Sequence, residues 1–240
     1  MNQEKVNTAA SFLDLLAVYH RHEVIGIENL PTKGRCLIAS NHSLATYDIG
    51  LLSNYILKNT GRLPRALMDR WFFKFDFIRQ VMDELGAVEG NQESAKKLLE
   101  NEELLTVAPG GMRESIRSMN ERYQILWDQR IGFVRLATET QTPIVLAACP
   151  KADDIFDVLP TNKLSLWVYK KFKLPLAPFR GLGPTPIPRP VKLVHFLSEP
   201  LIPPKLSGDK KEQSRQISKF HKKVIKRMHS LIGEAIAYRS

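Results

Sequence analysis

Cysteine is scarce in this 240-residue chain. Its two copies, Cys36 and Cys149, each sit in an apolar run, Arg-Cys-Leu-Ile-Ala and Ala-Ala-Cys-Pro. That usage excludes a disulfide scaffold and points to two buried free thiols in a reducing compartment. No Cys/His spacing fits a zinc site, so no metal is expected. His20 and His22 have no companion ligands nearby, and an exposed helix end is expected there. Long hydrophobic runs are also missing. The first, residues 12–19, is short and contains Asp14, whereas a spanning helix needs about 20 apolar residues. No signal-like segment opens the sequence, so a cytoplasmic chain with at most peripheral membrane contact is expected. The P-loop, the Rossmann G-x-G-x-x-G and the G-x-S-x-G elbow are all absent, which removes the commonest nucleotide-binding and serine-hydrolase signatures.

Acidic residues are scarce in one part only. Residues 1–157 hold 18 Lys+Arg against 21 Asp+Glu, a balance of −3. Residues 158–240 hold 17 against 4, a balance of +13, and the whole chain carries +10. A basic third on a mildly acidic body predicts an anionic partner: nucleic acid, a headgroup surface or a phosphorylated small molecule. Otherwise the composition, 43% hydrophobic and 25% charged, is that of an ordinary globular domain.

Hydrophobic periodicity predicts helices over residues 8–21, 48–58, 71–84, 92–102, 131–140 and from 207 onward. Strands are predicted over 24–27, 36–40, 65–69, 86–88, 104–108, 143–149 and 191–197. Residues 159–189 are rich in proline and aromatics and free of acids, and irregular structure with one short helix is expected there. Continuous apolar strands alternating with helices predict a single α/β domain. Its central sheet is largely parallel or mixed and flanked by helices. The expected parts are an N-terminal amphipathic helix (1–23), the α/β unit (24–206) and a basic C-terminal helix (207–240).

In such sheets ligands bind beyond the carboxyl ends of the strands. Two loops stand there. The first, Asn41-His42-Ser43-Leu44-Ala45-Thr46-Tyr47-Asp48, takes a His out of a buried strand and ends on a carboxylate that opens a helix. If the loop folds back, Asp48 orients the His42 imidazole and the other ring nitrogen serves as a general base. The competing reading makes Asp48 a helix cap and His42 a surface residue. The second loop, Ala108-Pro109-Gly110-Gly111-Met112-Arg113-Glu114-Ser115, brings backbone N–H groups close to a ligand through Gly110 and Gly111. Arg113 there could clamp a phosphate or carboxylate. A tight turn with Arg113 in a surface ion pair fits the same residues.

Together these blocks resemble the phospholipid/glycerol acyltransferase superfamily. Asn41-His42…Asp48 is similar to its N-H-(x)4-D block, and Ala108-Pro109-Gly110-Gly111-Met112-Arg113-Glu114-Ser115 to its F-P-E-G-T-R-S-like block. Thr142-Pro143-Ile144-Val145-Leu146 resembles its V-P-(I/V)-V-P-V strand. Leu85-Gly86-Ala87-Val88 and Val24-Ile25-Gly26-Ile27-Glu28-Asn29-Leu30-Pro31 resemble flanking blocks, so the likeness runs over about residues 24–200. Five residues separate His42 from Asp48 where the glycerophosphate enzymes have four, and Gly110 stands where they carry Glu. H-x5-D with P-G-G-x-R-E resembles the diacylglycerol-acyltransferase-like branch, in which acceptors are often neutral lipids or long alcohols. The resemblance implies an O-acyltransferase acting on a glycerolipid or other lipid alcohol. Acyl-CoA or acyl carrier protein would be the co-substrate, with no bound cofactor. His42 would be the general base, Asp48 its orienter, and Gly110, Gly111 and Arg113 the oxyanion or acceptor-binding residues.

The C-terminal helix places Ile217, Phe220, Val224, Met228, Leu231, Ile232 and Ala235 on one stripe, with Lys219, Lys222, Lys223, Lys226 and Arg227 mainly off it. The stripe either packs on the body or inserts in a bilayer, and both leave lysines for an anionic membrane surface. Residues 167–176 interleave aromatics with lysine, and residues 71–75 form a second aromatic cluster. A non-catalytic lipid-binding protein on the same fold is the nearest rival reading. A nucleic-acid-binding protein accounts for the charge but not for His42, Asp48 or the Gly-Gly loop, so no nucleic acid is expected.

Overall fold

A computed structural model of the chain describes residues 3–68, 86–160 and 177–238. Helix α1 (Gln3–Tyr19) precedes strands β1 (Glu23–Ile25) and β2 (Cys36–Ser40), then α2 (Tyr47–Thr60) and β3 (Arg65–Met68). After the gap come β4 (Ala87–Glu89), α3 (Gln92–Glu100), β5 (Leu104–Val107) and a one-turn helix α4 (Gly111–Ser115). Helix α5 (Gly132–Glu139), β6 (Ile144–Ala148), β7 (Asp157–Val158), β8 (Phe179–Arg180), β9 (Val194–Leu197) and α6 (Lys210–Ala237) complete it.

Seven strands form one sheet in the order β1-β9-β6-β2-β5-β3-β4. From β6 to β4 every neighbour is parallel; β9 runs antiparallel to β6, and β1 lies parallel to β9 at the edge. The mixed sheet of the sequence reading is therefore present, with its antiparallel part confined to one side. Strands β2, β5 and β6 are buried along their whole length, which is why they read as unbroken apolar runs and not as alternation. Their residues still alternate in where they point. Leu37, Ala39, Leu105 and Leu146 pack with Leu99 of α3, Val134 of α5 and the α6 stripe. Cys36, Ile38, Val145 and Ala147 pack against Leu52 and Ile56 of α2 on the other face. Both cysteines are buried free thiols, and burial pushes Cys36 up to about 12.

Helix α6 lays Ile217, Phe220, Val224, Met228, Leu231, Ile232 and Ala235 on the body. Lys219, Lys222, Lys223 and Lys226 stay exposed. Asp209 caps the helix by accepting from the Glu212 N–H at 2.8 Å, a placement that suits both the unpaired N–H groups and the helix dipole. Among the described residues no helix is long and apolar enough to cross a membrane. The expected helix at 71–84, the aromatic cluster at 71–75 and the 167–176 segment lie outside the described residues.

Two expectations need correction. His20 is not at an exposed end: it is fully buried. Its Nδ1–H donates to the Val191 carbonyl at 2.8 Å, so Nε2 accepts from the Tyr47 hydroxyl at 2.7 Å. His22 meets His195 at 2.9 Å. The sequence shows an end of apolar periodicity there, but the chain folds β9 and the 188–193 segment over it. The proline-rich region also contains β8, paired antiparallel with β7. Asp157 fastens this small sheet, accepting from Arg122 (2.5 Å), Arg180 (3.0 Å) and Arg189 (2.5 Å). Those guanidiniums, Arg189 foremost, hold its carboxyl well below the usual range.

Candidate active site

The carboxyl ends of β6, β2 and β5 are adjacent, and the loops leaving them converge there. Asn41 follows β2 and continues its pairing by side chain. Its Nδ2 donates to the Cys149 carbonyl (3.2 Å) and its Oδ1 accepts from the Cys149 N–H (2.8 Å). That side chain thus completes the β2–β6 ladder one residue beyond the strands and fixes where His42 begins. The loop then turns tightly through Thr46, a β-branched residue at φ 55°, a conformation that costs about 1–3 kcal/mol and clusters at functional sites. It delivers Asp48 to the first turn of α2, fully buried.

Asp48 Oδ1 accepts from the Ser43 hydroxyl at 3.1 Å. Its other oxygen and His42 Nδ1 are both buried without a hydrogen-bond partner. No hydrogen bond joins the two residues, and one ring nitrogen and one carboxyl oxygen are left unspent. Burial sets both protonation states. Loss of hydration, then the nearby Arg117 charge, lowers His42 to about 4, so the imidazole is neutral at pH 7 and able to accept a proton. The same loss raises Asp48 to about 7, with the Ser43 hydroxyl pulling the other way.

Beyond β5, Gly111 sits at φ 55°, which suits glycine, and its N–H donates to the Ala108 carbonyl at 3.0 Å. Helix α4 then sends two neighbours in opposite directions. Arg113 points outward with its side chain 57% exposed, paired with Glu121 at 3.0 Å. Glu114 points inward and is fully buried. Its Oε1 accepts from the His42 N–H and its Oε2 from the Leu126 N–H, both at 2.7 Å. Arg117, one turn on, donates to the His42 carbonyl at 2.5 Å and meets Asp153 with Nε and Nη2 at 3.1 and 2.5 Å. Burial raises both Glu114 and Asp153 above their ordinary range. A cleft beside this cluster is lined by Leu44, Ser115, Met119, Arg122, Phe156 and Val158.

The sequence profile of the Acyltransferase family matches residues 21–149, from the approach to β1 through the end of β6. The chain belongs to the Acyltransferase family. Its acyltransferase domain is 32% identical to the "DGAT1/2-independent enzyme synthesizing storage lipids" of Bos taurus, over 80% of this chain and 56% of that protein. The human protein of the same description is 32% identical over 77% and 55%. An uncharacterized protein of Mycobacterium tuberculosis is 29% identical over 75% and 50%. The chain thus spans about half the length of the curated relatives it matches. In fold it is similar to the 1-acyl-sn-glycerophosphate (LPA) acyltransferase PlsC of Thermotoga maritima. The TM-score is 0.63 at 17% identity, covering 100% of this chain and 85% of that one.

In this acyltransferase domain, His42 and Gly110 both adjoin the Glu114 carboxylate, Asp48 lies buried in the first turn of α2, and Arg113 points to solvent. Glu114, Arg117 and Asp153 escaped the sequence reading as functional residues. Their partners lie 72, 75 and 36 residues away, beyond any local pattern. The available signal was a Glu and an Arg at i, i+3 spacing shortly after a Gly-Gly turn, a spacing that lets the two side chains meet.

Proposed function

We propose that this chain moves a fatty acyl group from an acyl thioester, carried by CoA or acyl carrier protein, to a hydroxyl of a glycerolipid or other lipid alcohol at a membrane surface. The observation that carries the reading is a half-buried, neutral His42 in the loop beyond a central strand, with a buried Asp48 closing the same loop, each with an unspent polar atom. One His42 nitrogen takes the acceptor's hydroxyl proton while Asp48 steadies the growing imidazolium. The freed oxygen attacks the thioester carbonyl carbon. The tetrahedral oxyanion then collapses, the C–S bond breaks, and the thiolate takes the proton from His42. With the Gly111 N–H already given to Ala108, the Gly110 N–H is the donor of that pair left for the oxyanion. Arg113 would hold a phosphate on donor or acceptor by exchanging its Glu121 partner.

The membrane part of the reading is supported by exposed apolar side chains. Phe12, Leu15 and Val18 lie outward on α1, and Phe179, Leu182 and Ile187 on and after β8. The Tyr19 hydroxyl, donating to the Pro188 carbonyl at 2.7 Å, ties these two segments together. The exposed lysines of α6 suit an anionic headgroup layer. Likeness to relatives described as synthesizing storage lipids supports neutral acceptors.

The test incubates the purified chain with acyl-CoA or acyl carrier protein and a panel of lysophospholipids, mono- and diacylglycerols and long alcohols, read by mass spectrometry. A new ester is expected in wild type, with loss of about 10²–10⁴-fold in His42→Ala. Unchanged turnover in His42→Ala overturns the base assignment. Liposome binding with no turnover in wild type supports the non-catalytic reading instead. Loss confined to phosphorylated acceptors in Arg113→Ala assigns that residue to the acceptor.

A further inference from the structure

His42 is held by its backbone from both sides. Glu114 takes its N–H at 2.7 Å and Arg117 its carbonyl at 2.5 Å. The two holders are themselves linked: Arg117 donates to the Glu114 carbonyl at 3.0 Å, and the charges stand 3.7 Å apart. Both are almost wholly buried. Charge-assisted bonds in a dry site are strong and directional, so this arrangement fixes the peptide planes flanking the His42 Cα and hence the direction in which the imidazole leaves the chain.

Gly110 explains how the carboxylate fits. Its φ is −67°, ψ −23°, an ordinary helical conformation, so the backbone does not need glycine there. A Cβ on Gly110, however, would fall 2.0 Å from Glu114 Oε2. Positions 110 and 114 compete for one volume. The missing side chain at 110 is the slot that the Glu114 carboxylate occupies.

We propose that Glu114 is a positioning residue of the reaction. Seated in the slot left by Gly110 and working with Arg117, it clamps the His42 peptide and sets where the base stands. The proposal rests on the reading of His42 as general base, and its test separates the two.

The test is a cycle of purified variants of this chain, with kcat and KM measured on the acceptor that the panel assay identifies and folding followed by circular dichroism. Gly110→Ala is expected to lower kcat about a hundredfold, because it displaces Glu114, with KM nearly unchanged. Glu114→Ala is expected to lower it similarly. Adding Gly110→Ala to Glu114→Ala is expected to cost less than about twofold more, since the slot is then empty. Losses that multiply overturn the proposal, because a side chain at 110 then acts independently of Glu114. Wild-type kcat in a folded Glu114→Ala overturns it too. If Glu114→Ala does not fold, Glu114→Gln decides. It keeps the shape but offers a single acceptor oxygen to two N–H groups. The His42 ring signals in NMR are expected to shift; unmoved signals overturn the proposal. Should His42→Ala retain turnover while Glu114→Gln still moves those signals, the base assignment fails and the clamp stands.

Discussion

Asn41, His42 and Asp48 put three kinds of side chain in one loop. The amide ends the strand pairing, the imidazole stands free of it, and the carboxyl lies buried in the first turn of α2. On the proposed mechanism the protonation of Asp48 is the lever. Its carboxyl, raised to about 7 by burial, is ionised above that pH and protonated below, and only the ionised form stabilises an imidazolium. Turnover is therefore expected to rise with pH through about 7. Asp48→Asn is expected to lower turnover about 10²–10⁴-fold and to erase that rise; a pH–rate profile of both proteins checks it. The places of His42 after a buried strand and of Asp48 at the opening of a helix were legible in the sequence because both are local patterns. Arg113 drew attention for its charge, yet the buried arginine of the site is Arg117. Nothing local distinguishes the two; Arg113 leaves α4 toward solvent, while Arg117, just past the end of that helix, reaches the His42 carbonyl.

At the scale of elements, periodicity located the long pieces well, because β2, β5, β6 and α6 each owe their form to burial that the sequence writes out. It did not reveal β7 and β8. Two residues carry no period, and this small sheet exists because Asp157 gathers Arg122, Arg180 and Arg189. The placement of β9 between β1 and β6 was equally hidden, since pairing partners about 170 residues apart leave no local trace. For α6 the stripe and the sheet are one packed layer. Leu231→Ala removes a fully packed side chain from it and is expected to cost about 2–5 kcal/mol, measured by urea unfolding with circular dichroism.

For the whole molecule, the histidines set the response to acid. His20, His22, His42, His195 and His221 all have pKa values lowered by burial. A lowered value means the folded state binds fewer protons than the unfolded one. Stability from these groups is full above about 6.5 and is lost as pH falls toward 4. Asp48, Glu114 and Asp153, raised by burial, work in the opposite direction over part of that window. Five groups against three predict a urea midpoint that falls between pH 6.5 and 4; a flat midpoint there counts against it. The charge surplus reads differently too. Of the basic third, Arg180 and Arg189 are committed to Asp157, while the α6 lysines remain outward. The clamp on His42 also has a consequence in time. It joins residue 42 to residues 114 and 117, and the adjoining strand β6 takes its N–H partner from Ser198. Contacts of that span form late and slowly. On the ribosome, the chain through β5 can emerge complete and still have no base in position.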